Sequence, residues 1–297
     1  MAQSDFSTYF HIVGFGATKL THAAHCTRVV AMSTRTVLIT GASAGLGQAC
    51  ADHLAHRGWT VVGASRRGIA GKNGHGITMD VDNDASVLDG VTKTFLEHSR
   101  LDAVVTCAGW GAAGAVEETP IGDAKAQFET NFWGCVRVVQ AALPIMRAQG
   151  GGRLVLMSSI GGQLGIPYQA FYAASKFALE GYAESLAYEV APFNIHVTLI
   201  EPGNFKTEFT QNRRLVDGLD GDPYKAAREK AIAVMERDEV NGADPMDVAK
   251  VVERVLKAKN PPRRVSVGKF DERIGIMAKR LLPFRLFEKA AKSSLGV

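Results

Sequence analysis

Cysteine is scarce in this chain, and the little there is lies scattered. Cys26, Cys50, Cys107 and Cys135 form no CxxC pair and no Cys/His cluster at ligand spacing. That excludes a zinc site, a thioredoxin-type pair and a disulfide scaffold, and it suits reduced thiols in a cytoplasmic setting. Long apolar runs are missing too. None approaches the ~18–20 residues that a transmembrane segment requires, and no basic stretch leads into an apolar core as in a secretory signal. Nor is there an excess of one charge: 34 basic and 30 acidic residues in 297 leave a formal +4. So even a balance gives no sign of a nucleic-acid partner. With 46% apolar and 22% charged residues the chain is expected to fold. One region departs from this composition. The first 34 residues hold one acid, Asp5, two bases, Lys19 and Arg28, and three of the eight histidines. Residues 1–31 therefore read as a disordered or dispensable extension ahead of a single domain, 32–297.

What is present is a rhythm. Short Val/Ile-rich runs at 36–40, 59–64, 77–79, 101–106, 153–157, 196–200 and 264–267 show no polar alternation, as strands buried on both faces do. Helical patterns at 46–57, 85–98, 121–149, 171–190 and 247–257 lie between them. Strand and helix alternating in this way predict an α/β fold, a doubly wound parallel sheet of Rossmann type with helices on both faces in three layers. A polar, charge-rich insertion at 203–244 interrupts the rhythm and reads as a lid or mobile loop over a substrate. No internal repeat is visible.

The first strand runs into Thr40-Gly41-Ala42-Ser43-Ala44-Gly45-Leu46-Gly47, which opens a helix. Unpaired backbone N–H groups and the helix dipole favour an anion there, and glycines let the backbone approach a pyrophosphate closely. Gly14-Phe15-Gly16 looks like a fragment of such a motif, but it has no strand before it. With its TGxxxGxG spacing at Thr40 to Gly47, the chain from about residue 35 to about residue 268 resembles the short-chain dehydrogenase/reductase family.

The resemblance implies a nicotinamide cofactor. An acid at the end of the second strand would bind the adenine ribose hydroxyls and repel a 2′-phosphate; this chain has Ser65-Arg66-Arg67 instead. A guanidinium fork suits a phosphate dianion, so NADP(H) is expected over NAD(H). By the same resemblance Asp80, with Val81 beside it, contacts the adenine. Ala108 and Gly109 keep the close approach to the cofactor, although Cys107 stands where the family commonly has Asn. Pro202, Gly203 and Thr207 match the family's PGxxxT.

Tyr172 and Lys176 lie at i and i+4 on one helix face, and Ser159 precedes Tyr172 by thirteen residues at the end of a strand. Hydride exchange with a carbonyl carbon needs a proton moved at its oxygen, which is general acid/base work. Tyr172 is expected to exchange that proton, Lys176 to favour its phenolate, and Ser159, rather than Ser158, to hydrogen-bond the substrate oxygen. The resemblance further implies that Lys176 binds the nicotinamide ribose and that Asn131 holds a water linking Lys176 to solvent. It also implies a homodimer or homotetramer through the helices at 121–149 and 171–190.

Leu164, Ile166, Tyr168, Phe205 and Phe209 offer an apolar lining for a lipophilic alcohol, ketone or aldehyde, and residues 171–202 look similar to the hydroxysteroid and retinol dehydrogenase branch. A non-enzymatic cofactor sensor and an epimerase or dehydratase are the rival readings. The C-terminal stretch 273–297 carries Arg273, Lys279, Arg280, Arg285, Lys289 and Lys292 against Glu288 among interleaved apolar residues. It reads first as a terminal helix over the substrate entrance or at a subunit contact, and second as a peripheral membrane segment.

Overall fold

The structure is a computed structural model describing residues 34–296 apart from 73, 217, 219 and 220. The extension at 1–31 and its dispensability lie outside the described residues. Among those residues, seven parallel strands form one sheet: β1 (Thr36–Thr40), β2 (Thr60–Ser65), β3 (His75–Thr78), β4 (Ala103–Thr106), β6 (Gly152–Met157), β7 (Ile195–Pro202) and β9 (Arg264–Val267). A separate small pair joins β5 (Ala112–Ala113) to β8 (Arg214–Leu215). The large sheet runs β3-β2-β1-β4-β6-β7-β9, so the chain reverses direction between β1 and β4. In an open α/β sheet the crevice at that reversal, beyond the carboxyl ends of the strands, is where ligands bind.

Alternation along each strand feeds two cores. Val37, Ile39, Val105 and Val155 face α1 (Gly45–His56) and α7 (Pro245–Lys257), packing with Cys50, Leu54, Val248 and Val252. Leu38, Val104, Leu154 and Val197 face the other way, toward α2 (Asp84–His98), α4 (Gly134–Ala148) and α5 (Ala170–Glu189), through Val91, Val138, Ala142 and Leu179. Every residue of β1 is buried, as uninterrupted apolar strands in a covered parallel sheet require.

Two segments differ from the sequence reading. Residues 121–149 are not one regular helix. α3 (Ile121–Phe128) and α4 are joined by a π-helical turn, Glu129–Trp133, an i→i+5 slip that leaves the apolar pattern on either side intact. The polar stretch at 203–244 holds α6 (Lys225–Val240). Its inward face carries Ala231 and Met235 together with the charged Arg228 and Glu239, all buried. Arg228 pairs with Glu118 and Asp222, and Glu239 with Arg213, so this face is held largely by ions and gives little apolar period. The C-terminal stretch forms α8 (Phe270–Leu281) and α9 (Phe284–Leu295), separated at Leu282-Pro283, where Leu282 takes the extended backbone (ψ 145°) favoured before a proline. Among the described residues no helix is long and apolar enough to cross a membrane.

Candidate active site

A cleft of about 770 Å³ opens at the sheet reversal. Its floor begins with the glycine turn between β1 and α1. Gly41 has φ +65°, and a Cβ there would lie 2.8 Å from the backbone N of Ala108; a Cβ on Gly47 would lie 2.3 Å from the carbonyl oxygen of Gly41. Both are closer than real contacts, so the turn folds this tightly with glycine alone. Cys107 does not open the sheet here. The β1–β4 register holds to Thr40 opposite Thr106, and Ala108 N donates to Thr40 Oγ1 at 3.2 Å. The Cys107 thiol meets that of Cys50, whose own ionisation is pushed upward by this contact and by burial.

The backbone N of Gly45, at the start of α1, donates to the carboxylate of Glu208 at 3.0 Å. A carboxylate held there stands in for a phosphate oxygen, and with the glycine cradle it shows that the turn accepts an anion. Beyond the turn the cleft reaches Ser65, Arg66 and Arg67 at the end of β2, and Asp80 and Val81 after β3. Arg66 and Arg67 are exposed, and Arg67 Nη2 donates to Ser43 Oγ at 3.2 Å. Ala108, Gly109, Pro202, Gly203 and Thr207 also line the cleft, as do Leu46, Ser159, Tyr172 and Lys176.

At the inner end, Ser159 follows β6 while Tyr172 and Lys176 stand one turn apart on α5. Ser159 Oγ accepts from Gly161 N at 3.0 Å and lies near enough to the Tyr172 hydroxyl to oppose the rise in its pKa. A Cβ on Gly161 would lie 3.3 Å from the Tyr172 ring and 3.4 Å from Ser159 Oγ, so both groups border the same point. Loss of water around the phenol raises the Tyr172 pKa above 10; Ser159 and Arg213 oppose this, and Glu239 adds to it. Lys176 is buried, donates to Met157 O at 2.8 Å and lies 5.9 Å from the Tyr172 ring centre. Burial depresses its pKa to about 8. The dominant influence on the tyrosine is therefore dehydration, which works against its phenolate.

Asn131 sits on the π-helical turn and is buried behind the cleft. Its Oδ1 accepts from Trp110 N at 3.0 Å, while its Nδ2 donates to Trp110 O at 3.0 Å and to Ser175 Oγ at 3.2 Å. The side chain thus clamps the loop after β4 onto α5.

Ile166, Phe205 and Phe209 form apolar walls, and the Phe209 ring meets Tyr172 edge-on at 5.8 Å. Among the described residues Leu164 and Tyr168 are not in those walls; Leu164 instead lies toward Gly275 of α8. Several cleft groups escaped the sequence reading. Glu208 is one. Gln169 is another: it is buried, and its Nε2 has no hydrogen-bond partner among the described residues. Thr130 and Asp82 form a third, with Thr130 Oγ1 donating to Asp82 at 2.9 Å. Only the folded arrangement brings these together, and no local pattern marks them.

Fold and cleft together define a dinucleotide-binding oxidoreductase. The chain belongs to the short-chain dehydrogenase/reductase family: the family described as short chain dehydrogenase matches residues 35–217. It is 38% identical over 265 residues to the 3-ketodihydrosphingosine reductase of Bacteroides thetaiotaomicron, covering 88% of this chain and 98% of that protein. It is also 36% identical over 259 residues to retinol dehydrogenase 8 of Bos taurus, covering 79% of this chain and 82% of the relative. A crystal structure of a short-chain dehydrogenase from Streptomyces avermitilis superposes with a TM-score of 0.75 at 29% identity, covering 88% of this chain and 98% of that one.

Proposed function

We propose that the protein is an NADP(H)-dependent carbonyl reductase that interconverts a ketone and a secondary alcohol on a lipophilic substrate through Ser159, Tyr172 and Lys176. The observation that carries this reading is the convergence of Ser159 Oγ and the Tyr172 ring on one point of an apolar-walled cleft. When bound, the nicotinamide supplies the hydride. The chain's own part is to orient and protonate. Ser159 donates to the substrate oxygen, and Tyr172, a phenol protonated at neutral pH, delivers a proton to that oxygen as charge develops. Lys176 holds a positive charge behind them. The name of the 3-ketodihydrosphingosine reductase relative supports a ketone substrate and the reductive direction.

The test is NADPH oxidation with a panel holding 3-ketodihydrosphingosine, steroid ketones, retinaldehyde and aromatic ketones. One NADPH consumed per carbonyl lost supports the proposal. Cofactor binding with no conversion of any member would favour the sensor reading, and conversion without net NADPH oxidation would favour an epimerase or dehydratase.

The NADP(H) preference rests on Arg66 and Arg67, which face the cleft beside Ser43. Replacing both with alanine is expected to weaken NADPH binding by roughly ten- to a hundredfold, the value of one or two charge-assisted hydrogen bonds. NADH affinity is expected to change little. Equal losses for the two cofactors in a fluorescence titration would remove the 2′-phosphate argument.

Glu208 competes for the anion-binding turn. In Glu208→Gln the charge facing Gly45 N is gone, so NADPH is expected to bind about two- to tenfold more tightly at low salt. Unchanged affinity in the same titration would mean that the carboxylate leaves the turn without hindrance. Self-association through α3, α4 and α5 belongs to the same reading and is supported by the exposed Trp133, Phe177 and Tyr188.

A further inference from the structure

α8 is fastened to the body of the protein by one side. Glu272 accepts from Asn204 N at 3.0 Å and Asn204 Nδ2 at 2.8 Å, Lys279 Nζ donates to Gln163 O, and Ile276 is buried. Its opposite side has no such cover. Phe270, Ile274, Met277 and Leu281 recur at intervals of four, three and four residues and form one stripe. They are 77%, 46%, 59% and 74% exposed. Beyond the proline break Leu282, Phe284 and Leu286 are also exposed, at 42%, 74% and 58%. An exposed apolar stripe on a firmly docked helix marks an interaction surface.

The charges beside it select the partner. Arg273, Lys279, Arg280, Arg285, Lys289 and Lys292 are all exposed on α8 and α9. The acids nearby are fewer. Glu272 is held by backbone and side-chain donors, Glu288 pairs with Lys292 at 2.8 Å, and Asp271 is exposed at the start of α8. A second copy would bring the same cations against themselves, since in a two-fold contact each patch meets its own kind. A bilayer with anionic headgroups offers both the apolar layer and the opposite charge. We propose that α8 and α9 dock the protein on an anionic lipid surface, with Phe270, Ile274, Met277, Leu281 and Phe284 entering the headgroup boundary and Arg273, Arg285 and Lys289 meeting the lipid anions. α8 also backs the two loops that frame the cleft, through Gln163 on one side and Asn204 on the other. Docking would therefore hold those loops beside the membrane, where lipophilic substrates concentrate. The proposal concerns binding, and its test does not pass through catalysis.

The experiment is sedimentation of the full chain with vesicles of equal parts phosphatidylglycerol and phosphatidylcholine, against vesicles of phosphatidylcholine alone. Binding to the anionic vesicles at low salt is expected, with release near 1 M salt, where the Debye length is about 3 Å. Met277→Glu/Leu281→Glu and, separately, Arg285→Glu/Lys289→Glu are expected to lower the partition coefficient roughly tenfold or more, while Met277→Leu retains it. Protein left in the supernatant with anionic vesicles would overturn the proposal, and so would undiminished binding of Met277→Glu/Leu281→Glu. A change in sedimentation mass of that variant without vesicles would also overturn it, by making the stripe a contact between copies. Ketone reduction without vesicles is expected to be unaffected in every variant, which keeps this result separate from the catalytic reading.

Discussion

Tyr172→Phe is expected to lower ketone reduction by on the order of 10²–10⁴-fold, the usual contribution of a positioned proton donor, while leaving NADPH affinity within about twofold. The substitution removes one oxygen and keeps the ring, so the edge-on packing against Phe209 persists. What disappears is the hydroxyl that lies near Ser159 and borders the point where a carbonyl oxygen would sit. Paired steady-state kinetics and cofactor titration check both halves. Turnover within about tenfold of the parent would remove Tyr172 from the reaction, and a parallel loss of cofactor affinity would make its part structural.

Lys176→Met is expected to abolish most turnover and, at pH 7, to make the protein more stable. The fold depresses the lysine's pKa from 10.5 to about 8 through burial, which corresponds to a burden of about 3 kcal/mol on the charged form. Losing the hydrogen bond to Met157 O offsets about 1 kcal/mol of that, leaving a net gain of about 2 kcal/mol and a melting midpoint higher by a few degrees. The sign follows from proton linkage. Between about pH 8 and 10.5 the unfolded chain binds more protons at this site than the folded one, so the parent gains stability as pH rises through that window. The variant's advantage should therefore be full well below pH 8 and reversed by 10.5, where the missing hydrogen bond leaves it about 1 kcal/mol less stable than the parent. Urea denaturation at the two ends measures it. A variant less stable than the parent at pH 7 would show that the ammonium is a structural tie, with no strain held for function.

Much of this is legible in the amino-acid sequence. β1 spans the bounds expected of it, the Val37-Leu38-Ile39 run framed by two threonines, because a strand covered on both faces carries no polar alternation to obscure it. The glycine turn announced itself through residue types that the backbone geometry makes obligatory. Ser159, Tyr172 and Lys176 were legible through spacing, one turn of helix for two of them and a strand end for the third. What stayed hidden depends on contacts made across the fold. Glu208 reaches Gly45 from 163 residues away, and nothing in its neighbours foretells that. α6 escaped because its buried face is partly ionic, with Arg228 closed by Glu118 and Asp222. The partners of the Asn131 amide, Trp110 and Ser175, are likewise supplied only by the turn of the chain.

The π-helical turn at Glu129–Trp133 also has a meaning in the language of alignment. It is a single-residue insertion inside a helix, and at 3.6 residues per turn it offsets the two flanking segments by about 100° of rotation. α3 and α4 therefore keep separate phases, one set by the loop after β4 and the other by the sheet. Deleting any one residue of that turn would heal the helix on paper, yet it would swing either Gln127 or Val138 away from its buried place.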